Sequence, residues 1–255
     1  MPIFVLIHSP SVGPATWQPV ADRLRDAGHE VTVPSLLSVG DGGAPFWPRV
    51  SSAVRAGLAG TDPSQPVVLV PHSNAGLFVP VIARNLQRPV ACSVFADAGV
   101  PELSGSTPVV GADFLPFLRG LADEDGLLPR WTDWWDSDDI VAMLPDPRVR
   151  AIITEEQPRL PLDYYLDRVP APAGWDDHPC GYLLFSEGYE GQADEARRRG
   201  WPVRTTPGEH LHQVRRPGRG DAGTAGTGER GGLSRPRRSA LRPSLPATAG
   251  SAGPG

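Results

Sequence analysis

Residues 66–76 read Pro-Val-Val-Leu-Val-Pro-His-Ser-Asn-Ala-Gly. The first five form a short apolar run of the kind found in strands that are buried in a parallel sheet. A helix is predicted to follow, from about Ala75 to Leu86. Ser73 therefore lies on a sharp strand-to-helix turn, which would lift its Oγ above the carboxyl edge of the sheet, beside the N–H donors of a helix N-terminus. We interpret Ser73 as a candidate nucleophile; the alternative is a serine that caps the helix.

Further apolar runs and helical patterns alternate on both sides of this segment. Strands are predicted at 3–7, 29–33, 66–70, 89–96, 182–185 and 201–205, with helices at 17–27, 44–59, 75–86 and 190–199. Such alternation is typical of βαβ units and predicts an α/β fold with a six-stranded, mostly parallel sheet flanked by helices. The alternation stops at 101–176, which holds several helical pieces and no convincing buried strand. We expect a helical lid to be inserted there, after the fourth strand.

The composition changes at about Val214. Residues 214–255 contain no aromatic residue and carry eight arginines against two acids, Asp221 and Glu229. A segment rich in Gly, Pro, Ser, Ala and Arg buries too little apolar surface to offset its ordering entropy. The sequence thus predicts one domain over 1–213 and a disordered tail over 214–255. We hypothesise that a frameshift near codon 213 replaced a native amphipathic helix; the alternative is a native, arginine-rich arm that binds nucleic acid or a partner.

Several segments carry a family resemblance. They are Phe4-Val-Leu-Ile-His8, Trp17 to Val31, the elbow His72-Ser-Asn-Ala-Gly76, and Gly208-Glu-His210 after the last predicted strand. The chain resembles the α/β-hydrolases over residues 3 to about 213, and is closest in pattern to the branch of plant methylesterases and hydroxynitrile lyases. This resemblance implies a nucleophile, an acid and a histidine in that chain order.

The resemblance assigns roles to particular positions. Ser73 matches the nucleophile and His210 the general base, with His212 as the alternative base. The acid is either Glu187, which follows the fifth predicted strand, or Asp97, which ends the fourth. The acid would orient the histidine tautomer and stabilise the imidazolium.

The oxyanion hole needs two donors. Asn74 is expected to supply one backbone N–H, and the second usually comes from the position of Pro10, which has no N–H. Either Ser9 donates instead, through its backbone or its hydroxyl, or the loop after the first strand is displaced. Removing one such donor costs on the order of 10²–10³ in rate.

These features favour a serine hydrolase, an esterase or thioesterase, that cleaves a small, largely apolar ester through an acyl-enzyme without metal or organic cofactor. Trp131, Trp134 and Trp135 cluster in the predicted lid and are expected to pack within it; the alternative is that some of them wall an apolar pocket. One alternative is hydroxynitrile-lyase-like or other acid/base lyase or cyclase chemistry at the same site. Another is a catalytically impaired scaffold.

Composition limits the other classes of function. The net charge of −5 gives no case for nucleic-acid binding, so a small-molecule substrate is the expected partner. Cys92 and Cys180 stand in no metal-ligand spacing and are expected to be reduced thiols. The N-terminus shows neither a basic region nor a long apolar run, so we expect no signal peptide, no membrane span and a cytoplasmic protein. The oligomeric state has no signature in the sequence.

Overall fold

A computed structural model of the chain describes residues 1–215. In chain order the elements are β1 (Ile3–Ile7), α1 (Gln18–Asp26), β2 (Val31–Thr32), α2 (Trp47–Gly57), β3 (Val67–Ser73), α3 (Val79–Asn85), β4 (Val90–Ala98), β5 (Gly105–Pro108), α4 (Leu115–Leu121), α5 (Ser137–Met143), α6 (Pro147–Glu156), α7 (Leu162–Leu166), β6 (Arg168–Ala171), β7 (Cys180–Leu184), α8 (Glu190–Arg198) and β8 (Val203–Thr205). Six of the strands form the main sheet in the order β2-β1-β3-β4-β7-β8. All five pairs are parallel, which confirms the predicted α/β fold with a six-stranded sheet.

The two faces of the sheet are covered unequally. Side chains alternate along each strand, so Val5 and Leu69 point into the larger apolar cluster, which also holds buried residues of α2, α3 and α8. Leu6 and Phe185 belong to a smaller cluster on the other face, together with Ala21 of α1. Within residues 1–215, α1 is the helix that packs on this second face.

The insertion between β4 and β7 forms the expected lid, with one correction. It contains the four helices α4–α7, but β5 and β6 also pair as an antiparallel two-stranded sheet at its two ends. Each of these strands has only four residues, which is too short for an alternating pattern to stand out in the sequence. The lid is tied to the loop after β1, because Glu156 at the end of α6 accepts a hydrogen bond from the Ala15 N–H (2.9 Å).

The helix after Ser73 is more broken than its sequence suggested. A 3₁₀ turn spans Asn74–Phe78, and α3 begins only at Val79. Pro80 lies in the first turn of α3. Proline is well tolerated there because N–H groups in that turn have no partner within the helix.

The described chain ends in a 3₁₀ turn, His212–Val214. Val214, which the composition assigned to the tail, packs against lid residues such as Met143 and Ile153. The predicted disordered tail therefore does not begin before Arg215, and its residues from 216 onward lie outside the described part of the chain. No helix in residues 1–215 is both long and apolar enough to cross a membrane.

Candidate active site

Ser73 ends β3 in a conformation that non-glycine residues rarely adopt. Its φ is 57° and its ψ is −134°. Holding such a residue costs on the order of 1–3 kcal/mol, and the surrounding structure must maintain it. Part of this support is a hydrogen bond from the Gly99 N–H to the Ser73 carbonyl (3.0 Å). The turn places the serine side chain in a cavity at the carboxyl edge of the sheet.

Close approach of two chain segments explains the glycine of the elbow. A Cβ on Gly76 would lie 2.1 Å from the Gly99 carbonyl oxygen, which is backbone and cannot move aside easily. Ala75, two residues after the serine, is fully buried at the same crossing. The small residues of the elbow therefore allow the first turn after Ser73 to lie directly against the end of β4.

The structure brings His210 and Asp97 together. His210 Nδ1 lies 2.8 Å from Asp97 Oδ2, although 113 residues separate them in the chain. A carboxylate can only accept, so Nδ1 donates, and the neutral imidazole keeps Nε2 as its acceptor. His210 also lines the cavity that contains Ser73. This is the tautomer that a general base acting on a serine hydroxyl requires.

Asp97 is fully buried and accepts four hydrogen bonds. Its Oδ1 accepts from the N–H groups of Phe185 (2.9 Å) and Ser186 (3.1 Å), and its Oδ2 accepts from Ser186 Oγ (2.6 Å) as well as from His210. Burial by itself would raise the pKa of Asp97, but the hydrogen bonds from His210, Ser186 and the Phe185 N–H outweigh it and hold the pKa below its usual value. The carboxyl group is therefore ionised at neutral pH.

The other candidates for acid and base lie elsewhere. Glu187 is exposed at the rim of the cavity, and within residues 1–215 it makes no hydrogen bond to a histidine. The His212 ring packs against Phe185 at 5.5 Å between ring centroids, and its buried Nδ1 has no hydrogen-bond partner in the described chain. The geometry thus pairs Asp97 with His210.

His72, the residue before Ser73, is hydrogen-bonded to the loop that carries His210. Its Nε2 donates to the His210 carbonyl (2.8 Å), and its ring lies 4.5 Å from the His210 ring. Burial, followed by the nearby His210, lowers the pKa of His72 to about 3. It therefore stays neutral and acts as a hydrogen-bond donor.

Tyr189 is a residue of the site that sequence reasoning missed. It ends a 3₁₀ turn, Glu187–Tyr189, after β7. Its hydroxyl lies 3.1 Å from Ser73 Oγ, and its ring stacks on the His210 ring with a centroid distance of 4.7 Å and an interplanar angle of 5°. Within the described chain, Tyr189 is the hydrogen-bond partner of Ser73 Oγ, and no hydrogen bond joins Ser73 to His210. Its sequence signal was only its position, two residues after Glu187.

The oxyanion candidates Ser9 and Asn74 both line the cavity with Ser73. The Ser9 carbonyl is turned away into the loop, where it accepts from His8 Nδ1 (2.8 Å) and the Val12 N–H (3.0 Å). The Ser9 hydroxyl lies 3.4 Å from the Ser11 N–H. Pro10 is buried but does not line the cavity, in keeping with its lack of a donor.

The cavity has a volume of about 500 Å³, and the lid supplies most of its apolar wall. This wall is formed by Val110, Phe114, Trp131, Trp134, Trp135 and Met143. Trp131, Trp134 and Trp135 therefore line the cavity, which agrees with the alternative interpretation of these tryptophans. Carboxylates of Asp139, Glu187 and Glu209 also border it. Ser73 thus opens onto a largely aromatic space that suits a small apolar group.

Comparison with solved structures gives a consistent picture of the fold. An extracellular alpha/beta-hydrolase from a Paenibacillus species matches with a TM-score of 0.64 and 18% identity, over 84% of this chain and 93% of that chain. The chain has the α/β-hydrolase fold. Polyneuridine aldehyde esterase (TM-score 0.59, 17% identity, 84% and 94% of the two chains) and a methylesterase from Arabidopsis (0.56, 16%, 84% and 92%) are also similar. The predicted resemblance to the methylesterase branch is confirmed at the level of the fold.

Comparison of sequences adds one relative. Esterase PIR7B of Oryza sativa subsp. japonica is 31% identical over 131 residues, which is 49% of this chain and 47% of the relative. The chain therefore spans about half the length of the curated relative it matches. No protein-family model matches the chain.

Proposed function

We propose that this α/β-hydrolase is a serine esterase that cleaves a small, largely apolar carboxylic ester through an acyl-enzyme. One observation carries the proposal. A histidine fixed by a buried, ionised carboxylate opens into the same cavity as a serine on a strained elbow. Strained backbone conformations and buried groups with shifted pKa values cluster at catalytic sites.

The first half-reaction joins the substrate to Ser73. Its O–H proton passes to His210 Nε2 while Oγ bonds to the ester carbonyl carbon, and the π electrons move to the carbonyl oxygen. The Asn74 N–H and a donor of Ser9 would stabilise that oxyanion. When the oxyanion collapses, the ester C–O bond breaks and the leaving alkoxide takes the proton from His210, which leaves an acyl-serine.

The second half-reaction releases the acid. His210 Nε2 takes a proton from water while the hydroxide attacks the acyl carbon. The bond between that carbon and Ser73 Oγ then breaks, and Oγ takes the proton from His210 Nε2, which restores the Ser73 hydroxyl. Asp97 remains ionised throughout and holds Nδ1 as a donor, which stabilises the imidazolium in both halves. In the resting structure Ser73 contacts Tyr189 rather than His210; catalytic hydrogen bonds are often long before substrate binds.

The cavity supports a small acyl or alcohol group as the substrate. Its aromatic wall favours apolar groups, and its volume of about 500 Å³ lies within the range of small-molecule sites. The names of the relatives point the same way, since the rice protein and two of the three solved structures are named esterases. None of these names favours lyase or cyclase chemistry.

Labelling with a fluorophosphonate probe tests the proposal. We expect the folded chain to be labelled, and both Ser73→Ala and the heat-denatured protein to remain unlabelled. Ser52→Ala is a matched control because Ser52 is an exposed serine on α2, and it should label like the wild type. Mass spectrometry after a short exposure to p-nitrophenyl acetate should show a single acetyl group on Ser73.

Two results would overturn the proposal. A folded wild-type chain that takes up no probe would exclude an activated serine and favour a scaffold. Labelling with no acyl adduct on any p-nitrophenyl ester from acetate to octanoate would favour chemistry without an acyl-enzyme, such as a lyase reaction.

A further inference from the structure

Tyr189 touches both partners of the expected proton transfer. Its hydroxyl lies 3.1 Å from Ser73 Oγ, and its ring stacks almost parallel on His210. The side chain is only 6% exposed, so its neighbours hold it rigidly in this position. A single rigid group therefore contacts the nucleophile and the base at once.

The chemistry of the two hydroxyls decides which one donates. A phenol is a much stronger acid than an aliphatic alcohol, so it is the better donor, and the serine oxygen is the better acceptor. Burial raises the pKa of Tyr189 above its usual value, so the phenol keeps its proton at any pH at which the enzyme would work. With Tyr189 donating, the Ser73 hydrogen is free to turn towards His210 Nε2.

We propose that Tyr189 is a catalytic residue that promotes proton transfer from Ser73 to His210, its hydroxyl donating to Ser73 Oγ and its ring supporting the imidazolium. This inference rests on the proposed serine esterase function. As the Ser73 O–H bond breaks, the proton goes to His210 Nε2, and Oγ forms its bond to the carbonyl carbon of the ester. Tyr189 keeps its own proton throughout.

Both effects act where charge develops. Oγ gains negative charge as its proton leaves, and a hydrogen bond to a charged atom is stronger than one to a neutral atom. The imidazole gains positive charge, which the face of an aromatic ring attracts. The tyrosine thus stabilises the transition state more than the resting pair, as catalysis requires.

Two substitutions separate these effects. Tyr189→Phe removes the hydroxyl and keeps the ring, whereas Tyr189→Leu removes both. We expect the second-order rate constant for fluorophosphonate labelling to fall about tenfold in Tyr189→Phe, the size expected for one hydrogen bond to an atom that gains charge. In Tyr189→Leu it should fall further, towards about a hundredfold. For a p-nitrophenyl ester, the loss should appear in kcat, with KM changed less than about threefold.

Tyr182→Phe is the matched control. Tyr182 is a buried tyrosine outside the cavity, and its hydroxyl bonds to the N–H and the carbonyl of Ala98. This variant should have a lower melting temperature and a labelling rate within about twofold of the wild type. It also supplies the reference rate for an equally destabilised protein, should Tyr189→Phe lose stability.

The outcomes are distinct. A Tyr189→Phe rate equal to or above that of the wild type overturns the inference; a higher rate would mean that Ser73 donates to the tyrosine and is restrained by it. If the wild type is unlabelled, or if Ser73→Ala labels, the proposed function fails and the role of Tyr189 fails with it. A lower labelling rate in Tyr189→Phe, together with no labelling of Ser73→Ala, supports both the proposed function and the role of Tyr189.

Discussion

Two neighbouring residues of the site have left-handed backbone conformations. Ser73 has a φ of 57° at the end of β3, and Asp97 has a φ of 44° near the end of β4. The two strands pair, and their register shifts between His72 and Ser73. One irregularity of this strand pair therefore lies at the point where the serine and the carboxylate leave the regular sheet. At the residue scale, the two strained backbone conformations are found at the residues that place the serine and the carboxylate in the site.

Asp97→Asn tests the partner of the histidine. In Asp97→Asn, the amide oxygen would stay with the two backbone N–H groups, and the NH₂ group would replace Oδ2. An NH₂ group cannot accept a hydrogen bond, so the imidazole loses the acceptor that fixes its tautomer. We expect kcat for a p-nitrophenyl ester to fall on the order of 10³- to 10⁴-fold, with little change in KM. Steady-state kinetics on the purified variant give the measurement.

Glu187→Gln is the companion variant because the sequence allowed either carboxylate as the acid. In this variant kcat should fall less than about tenfold, since Glu187 is exposed and makes no hydrogen bond to His210. A larger loss in Glu187→Gln than in Asp97→Asn would show that the pairing with Asp97 is not the catalytic one.

At the scale of elements, the site depends on how closely the elbow approaches β4. The 3₁₀ turn Asn74–Phe78 follows β3 directly, and Gly76 lies against the Gly99 carbonyl. The hydrogen bond from Gly99 to Ser73 joins the same two segments. The elbow and the end of β4 thus form one unit that carries both the proposed nucleophile, Ser73, and the proposed acid, Asp97.

Gly76→Ala should disturb this unit. Its Cβ would lie 2.1 Å from a backbone oxygen, so the two segments must separate. We expect the free energy of unfolding to fall by about 1–3 kcal/mol, the usual cost of overpacking, and the labelling rate to fall with it. Urea unfolding and probe labelling measure the two effects.

Gly120→Ala is the control for a glycine-to-alanine change. Gly120 lies in helix α4, and a Cβ there would meet nothing within 4 Å. Alanine is the better helix former, so this variant should be neutral or more stable by up to about 1 kcal/mol. Equal stability of the two variants would contradict the close approach at Gly76.

At the scale of the whole molecule, two buried neutral histidines tie the site to the fold. His8 donates from Nδ1 to the Ser9 carbonyl and accepts the Leu36 N–H (3.0 Å) at Nε2, which joins the loops after β1 and β2. Burial lowers the pKa of His8 to about 4, and that of His72 to about 3. In the unfolded chain both histidines titrate near 6.5.

This difference makes stability fall on acidification. Below pH 6.5 the unfolded chain binds protons at these histidines, while the folded protein does not until about pH 4 for His8 and about pH 3 for His72. The stabilisation is complete above pH 6.5 and is lost progressively below it. Between pH 7 and pH 5 we expect each histidine to lower the free energy of unfolding by about 2 kcal/mol.

Urea unfolding at pH 7 and pH 5 measures the loss. His8→Asn is the informative variant, because it should be less stable than the wild type at pH 7 but show a smaller drop between the two pH values. Equal free energies of unfolding at pH 7 and pH 5 in the wild type would mean that the two histidines are not held neutral.

The sequence alone was enough for the sheet and the elbow. Apolar runs and their spacing predicted all six strands, and the strand-to-helix turn singled out Ser73 and Asn74. These features are local, since a buried strand or a tight turn leaves its mark on residues that are adjacent in the chain. The antiparallel pair β5–β6 was not predicted because each of its strands is only four residues long.

The choice between partners needed the tertiary structure. Asp97 and Glu187 were equal candidates, as acids that follow strands, until the fold brought Asp97 to His210 across 113 residues and left Glu187 at the rim. The choice between His210 and His212 also needed the fold, because the His210 ring contacts Asp97 whereas the His212 ring packs against Phe185. Tyr189 had no sequence signal beyond its position near Glu187, because its contacts with Ser73 and His210 exist only after three segments pack together. Local patterns are determined by neighbouring residues, whereas the pairing of side chains is determined by packing between distant ones.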